Sequence, residues 1–214
     1  MESSKLRFVL ASSSPRRKEL IGHLGIPFEI RTLDVAEESA ASDPVRFSGE
    51  IAEKKGRAVY EKLREEAPES PLFVVSADTI VCLEKKIYGK PRDRDEARVF
   101  LTELSGKTHS VFTAVCVKVF SRNAEDGFSF VEESRVSFDR ISPELMETYL
   151  DTRDSLDKAG AYGIQGPSLT FISRVDGSYS NVVGFPLSAF VQRTEKFLTA
   201  KFPKEASWFN CFAR

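Results

Sequence analysis

The chain has 214 residues, 41% of them hydrophobic and 29% charged, and its 31 basic and 32 acidic side chains leave a formal net charge of −1. That is the composition of a globular protein with enough chain for a real core, and near-neutral charge excludes an unspecific electrostatic grip on nucleic acid or on an anionic membrane surface. The longest apolar stretches, such as residues 72–77 and 111–117, are too short to cross a bilayer, and 3 widely spaced cysteines with 2 histidines exclude a Cys/His zinc site and a disulfide framework.

Residues 5–11 read as a first strand. Residues 8–11 are too short for the apolar region of a secretory leader, so a cytoplasmic setting is expected. Residues 15–24 read as a helix with Leu20, Ile21 and Leu24 on one face, stopped by Gly25. A second strand is expected over 28–33 and an irregular loop over 37–48. A long helix follows over 44–63, opened by Asp43-Pro44 and weakened by Gly49 and Gly56. Residues 72–83 read as a long strand with Asp78 in its middle. Residues 95–104 form an amphipathic helix, with Ala97, Phe100, Leu101 and Leu104 inward. Two strands of a hairpin are expected over 109–120 and 128–138, with 121–127 irregular between them. Ser142-Pro143-Glu144 opens a helix, residues 169–175 read as a strand before the turn at Asp176-Gly177, and 186–198 as a closing helix. Cys82 and Cys116 are expected as small buried hydrophobes in strands. Helices and strands alternate, but the central hairpin is antiparallel, so the pattern predicts a mixed α/β sheet rather than a purely parallel one.

Four segments carry chemistry. In Leu10-Ala-Ser-Ser-Ser-Pro-Arg-Arg-Lys-Glu19 a strand ends, Ser14 caps a helix, and Pro15 takes its first position. Arg16, Arg17 and Lys18 then fill a first turn that favours acids. Each opposes the helix dipole by about 0.3–1 kcal/mol. Broken local rules point to function, and free N–H groups, the Ser12 and Ser14 hydroxyls and two guanidiniums would together hold a phosphate chain. A solvated basic face is the alternative. No P-loop and no GxGxxG is present, so this would be a different phosphate cradle.

In Phe73-Val-Val-Ser-Ala-Asp-Thr-Ile-Val81 a carboxylate interrupts an apolar run, and a buried Asp must be paired, bonded or metal-bound. Asp78 either caps a neighbouring loop or works beside the cradle, where it would hold a divalent cation or deprotonate a water. Glu37 and Glu38 could add ligands. Gly89-Lys90-Pro91 offers Lys90 as a point charge for phosphate, with Lys54 and Lys55 one helix earlier. Leu156-Asp-Lys-Ala-Gly-Ala-Tyr-Gly-Ile-Gln-Gly166 carries Gln165, which can donate to and accept from a nucleobase edge; taken alone, the segment reads rather as a structural loop with a buried amide.

Taken together, these segments resemble the Maf-like family of nucleoside triphosphate pyrophosphatases. The likeness rests on Leu10-Ala-Ser-Ser-Ser-Pro-Arg-Arg, Ile51-Ala-Glu-Lys-Lys, Ala77-Asp-Thr-Ile-Val and Gly89-Lys-Pro. It continues through Leu104-Ser-Gly-Lys-Thr-His, the stretch from Asp157 to Gly166, and Gly177-Ser-Tyr-Ser-Asn-Val-Val-Gly-Phe-Pro-Leu. It covers about residues 6–198. Ser76, Ser13 and Phe185 depart mildly from the usual Gly, Gly and Leu.

The resemblance implies a two-lobed mixed α/β fold with flanking helices and an active-site cleft between the lobes. It implies hydrolysis of dTTP and UTP, and possible modified pyrimidine nucleotides, to monophosphate and pyrophosphate with a divalent metal, Mg²⁺ or Mn²⁺. Asp78 would be the proton acceptor and, with Glu37, a metal-associated carboxylate. Ser12, Ser14, Arg16, Arg17, Lys55 and Lys90 would hold phosphates, and Arg16, Thr79 and Gln165 match positions linked to substrate choice. A house-cleaning role and a homodimer are expected, with no nucleic-acid polymer and no membrane as partner. One domain over residues 1–201 and an aromatic tail over 202–214 complete the reading. The competing readings are a 7-methyl-GTP pyrophosphatase and a nucleotide-binding regulator with little turnover.

Overall fold

A computed structural model describes residues 5–121 and 124–213. Its strands are β1 (Arg7–Leu10), β2 (Glu29–Ile30), β3 (Leu72–Leu83), β4 (Lys86–Tyr88), β5 (Thr108–Ser121), β6 (Ala124–Phe138) and β7 (Ile172–Asp176). They form one seven-stranded mixed sheet in the order β2-β1-β3-β5-β6-β7, with β4 also paired to β3. β1 runs parallel to β2 and β3, whereas β3, β5, β6 and β7 alternate in direction. The helices are α1 (Pro15–Gly22), α2 (Pro44–Glu66), α3 (Arg94–Leu104), α4 (Pro143–Asp151), α5 (Tyr179–Val183) and α6 (Leu187–Lys201). The expected mixed α/β sheet with flanking helices is the observed architecture.

β3 is the strand on which both halves of the molecule are built. One of its edges pairs with β5 from Leu72 to Cys82. Its other edge pairs with β1 only over Leu72–Val75 and with β4 only over Val81–Leu83. Residues 76–80 therefore lie in a window between two neighbouring strands, and Asp78 and Thr79 sit in it. The apolar core divides at the same place. One cluster gathers Phe8, Phe73, Val75, Phe185 and Phe190; the other gathers Val81, Tyr88, Leu101, Tyr149 and Phe171.

Local chemistry explains the element starts. Ser14, Asp43, Asp93, Ser142 and Ser178 each accept a hydrogen bond from a backbone N–H in the first turn of the helix they precede, a cap worth about 1 kcal/mol. Gly56, a poor helix former, sits where α2 meets β3, with no room for a Cβ against the Ser76 hydroxyl. That hydroxyl donates to the Ala52 carbonyl at 2.7 Å. Ser76 thus stands directly against a glycine of the facing helix.

Some boundaries differ from the sequence reading. The second strand shrinks to Glu29–Ile30. The hairpin strands extend through Ser121 and from Ala124, so most of the expected irregular stretch is strand; Arg122 and Asn123 of that stretch lie outside the described residues. The expected strand over 169–175 is a 3₁₀ turn at Pro167–Thr170 followed by β7, because Leu169 is exposed rather than inward. β4 and α5 are too short to show a period. Cys82 and Cys116 are free, buried strand residues as expected, and Cys211 is free and buried too. The aromatic tail docks on the body: the Leu6 N–H donates to Cys211, the Ala213 N–H donates to Leu6, and Phe212 packs on Phe8 and Phe73.

Candidate active site

A cleft of about 1010 Å³ opens at the window in β3. It lies at the carboxyl end of parallel β1, the place where open α/β sheets take their ligands. β1 runs through Ala11 into the serine turn and α1, so the N-terminus of α1 and its basic first turn enter the cleft.

Arg17 is fixed on three sides. Its Nε donates to the Gly184 carbonyl at 2.8 Å, its Nη1 to Ser12 Oγ at 3.2 Å, and its Nη2 to Thr79 Oγ1 at 3.0 Å. Gly184 reaches this position with φ +124°, a backbone region that a side chain would strain. Burial pulls the Arg17 pKa below the ordinary arginine value; the nearby charges of Asp78 and Glu37 act against that and Arg16 adds to it. A guanidinium carries five N–H donors. Three are committed to protein oxygens, which leaves one on each terminal nitrogen for a ligand.

Opposite stands Lys55, from α2. Its Nζ lies 2.7 Å from Asp78 Oδ1 and 2.8 Å from Glu37 Oε1. Successive strand residues face opposite sides, so Asp78 turns to α2 while Thr79 turns to α1. The loop carrying Glu37 is held by two lysines, since Lys54 Nζ donates to the Glu38 carbonyl at 2.5 Å. Burial would raise the Glu37 pKa, but the hydrogen bond from Lys55 and the charges of Lys55, Lys90 and Arg17 outweigh it and hold it below the ordinary carboxylate value.

The rim is looser. Arg16 Nη1 meets Asp157 Oδ2 at 3.1 Å, and Asp157 is 62% exposed. Asp157 is also bound through Oδ1 to Lys158 Nζ at 2.6 Å, which in turn holds Asp154. Lys90 and Gln165 line the cleft as well. Ser14 lines it too, with its Oγ used as the helix cap, 3.4 Å from the Arg17 N–H.

Ten of the residues singled out in the sequence thus share one cleft: Ser12, Ser14, Arg16, Arg17, Glu37, Lys55, Asp78, Thr79, Lys90 and Gln165; Glu38 and Lys54, which the sequence also offered, do not line it and instead meet each other through the Glu38 carbonyl. Sequence reasoning passed over Thr113, and it quoted the segments of Asp157 and Gly184 without giving either residue a role of its own. Thr113 carried a faint signal, the one hydroxyl within the run Val111–Val117.

A divalent cation needs oxygen donors here. Among the described residues no three His, Cys, Asp or Glu side chains cluster. Asp78 and Glu37 nevertheless place carboxylate oxygens around one point, now marked by the Lys55 ammonium. Two carboxylates beside a phosphate cradle suit Mg²⁺ or Mn²⁺, which takes one or two protein carboxylates and completes its shell with substrate phosphate and water.

A family model described as Maf-like protein matches residues 7–197, nearly the whole chain. The chain belongs to the Maf-like family. Similar relatives include the dTTP/UTP pyrophosphatase of Thermoanaerobacter sp. (strain X514), 40% identical over 183 residues, which is 86% of this chain and 92% of the relative. The dTTP/UTP pyrophosphatase of Deinococcus radiodurans is 42% identical over 85% of this chain and 88% of its own. That of Pyrococcus abyssi is 40% identical over 86% of this chain and 92% of its own. The Maf-like match spans every cleft residue named above, while the first core cluster runs past it into Leu198, Phe202, Trp208 and Phe212. Among the described residues no helix is long and apolar enough to cross a membrane.

Proposed function

We propose that the chain is a nucleoside triphosphate pyrophosphatase that takes dTTP and UTP, and modified pyrimidine triphosphates, to the monophosphate and pyrophosphate. The reading rests on one observation: Arg17, pinned with two N–H groups to spare, faces the Lys55–Asp78–Glu37 set across one cleft. Relatives named dTTP/UTP pyrophosphatase support the choice of nucleotide.

Arg17, Arg16, Lys55 and Lys90 neutralise the triphosphate oxygens, with the Ser12 hydroxyl adding a neutral donor. Asp78 Oδ2, the oxygen left free by Lys55, accepts the proton of a water that attacks the α-phosphorus. The bond from that phosphorus to the oxygen bridging to the β-phosphorus breaks, and pyrophosphate leaves carrying that oxygen. A bound divalent metal, held by Asp78 and Glu37, supplies Lewis-acid charge neutralisation and a more acidic water. Gln165 reads the base edge. The protein works in the cytoplasm as a homodimer in a house-cleaning role.

The test is pyrophosphate release from dTTP, UTP, CTP, dATP, GTP, 7-methyl-GTP and pseudo-UTP, with Mg²⁺ and with EDTA. Metal-dependent release concentrated on dTTP and UTP is expected. Release concentrated on 7-methyl-GTP would move the chain to another branch, and binding without release would make it a regulator.

A further inference from the structure

Behind Thr79 lies a buried chain of hydroxyls that no step of the proposed mechanism uses. The antiparallel register of β3 and β5 sets Thr79 directly opposite Thr113, and the two hydroxyl oxygens lie 3.0 Å apart. Thr113 is completely buried, and its Oγ1 lies 3.1 Å from the main-chain oxygen of Asn181. Asn181 is also completely buried. Its side-chain amide donates to the Val111 carbonyl at 3.1 Å and to Ser134 Oγ at 3.0 Å, which anchors α5 to β5 and β6.

The direction of every proton in this chain follows from its far end. A main-chain carbonyl only accepts, so the Thr113 hydroxyl donates to Asn181. A hydroxyl has one proton. Thr113 therefore has none for Thr79, and the 3.0 Å contact requires Thr79 to donate to Thr113. Thr79 then has no proton left, and its oxygen can serve Arg17 Nη2 only as an acceptor, which is what a guanidinium needs. The Gly184 carbonyl, which also accepts from Arg17 Nε, is the more distant partner for Thr79, at 3.4 Å against 3.0 Å to Thr113.

We infer that Thr113 is a positioning residue: its hydroxyl, locked onto the Asn181 carbonyl, polarises Thr79 so that Thr79 holds Arg17 in the pose that presents its two free N–H groups to the phosphates. Thr79, on this account, acts on the substrate through Arg17 rather than by contact with the base. The inference rests on the proposed pyrophosphatase reading, in which Arg17 binds phosphate.

Thr113→Val keeps the side-chain shape and removes only the hydroxyl. Thr79 is then free to turn its proton to the Gly184 carbonyl, and the lone pairs that receive Arg17 Nη2 are no longer held in one direction. The experiment measures Mg²⁺-dependent pyrophosphate release from UTP by wild type, Thr113→Val, Thr113→Ser and Thr113→Ala, with circular dichroism to establish the folded fraction. Folded Thr113→Val should lose about 10- to 100-fold in kcat/KM, the scale of a misplaced binding group, and Thr113→Ser should stay within about threefold of wild type. If Val fails to fold, the Ser–Ala pair carries the test, because both lack the methyl and only Ser keeps the hydroxyl; Ala should fall below Ser by about tenfold or more. A merely structural Thr113 would lower Tm and leave the kinetics of folded protein unchanged, and equal kcat/KM in Ser, Ala and wild type overturns the inference. Absence of pyrophosphate release by wild type overturns the functional reading instead, so the two failures are distinct.

Discussion

Arg16 and Arg17 are neighbours in sequence and belong to different parts of the cleft. Arg17 lies on the floor, half-buried, with three hydrogen bonds to groups that are themselves fixed by the sheet and by α5. Arg16 lies at the rim, with one ion pair to an Asp that is 62% exposed. A charge held in a low-dielectric setting with its dipoles already aligned loses little on reorganising when substrate arrives. A charge paired in water is screened and replaceable. The floor is therefore built for the reacting phosphates, and the rim for whatever varies between substrates.

The largest effect should come from the floor. Asp78→Asn removes the proton acceptor and keeps the shape, so kcat should fall roughly 100- to 10,000-fold with nucleotide binding preserved. Steady-state kinetics beside calorimetric titration of UTP separates the two, and unchanged kcat would remove Asp78 from the chemistry. Arg17→Ala should cost about 3–4 kcal/mol in kcat/KM, as expected for the loss of one preorganised charged donor. A loss confined to KM would place Arg17 in uniform binding instead.

Beneath the rim, His109 offers a pH test. It is buried, its Nε2 lies 2.7 Å from the hydroxyl of cleft residue Tyr162, and burial lowers its pKa from the ordinary 6.5 to about 4. The unfolded chain binds that proton below about pH 6.5, the folded chain only near pH 4. Between these values the unfolded state holds more protons, so stability falls as pH drops, by roughly 3 kcal/mol over the whole window. Thermal melts of wild type and His109→Gln at pH 7 and pH 4.5 should show a smaller loss in the variant. Parallel losses would assign the acid sensitivity elsewhere.

The smallest effect is expected at the rim itself. Asp157→Asn breaks the exposed pair with Arg16 and leaves buried Lys158 its Asp154 partner and the amide oxygen, so stability should change by about 1 kcal/mol or less. Its kinetic consequence should be a shift in relative KM between UTP and CTP with kcat held. A large fall in kcat would erase the distinction between rim and floor.

The parts of the site legible in the sequence are those that break a local rule. Cations at a helix start oppose its dipole, and a carboxylate in an apolar strand demands a partner; both features led to Arg17 and Asp78. Thr113 breaks nothing, because a β-branched residue is at home in a strand. Its meaning comes from a register that sets it opposite Thr79, and register is a property of the assembled sheet. The window in β3 is illegible for the same reason, since it exists only because β1 stops at Leu10 and β4 begins its pairing at Val81. The strand expected from Leu169 starts three residues late because Leu169, apolar as it is, lies exposed on a 3₁₀ turn.

The central claim is that the cleft delivers water to the α-phosphorus. Hydrolysis of UTP in ¹⁸O-labelled water, with the products resolved by mass spectrometry, tests it directly. The account predicts label in the monophosphate and none in pyrophosphate. Label in pyrophosphate, or release of inorganic phosphate in its place, would contradict it.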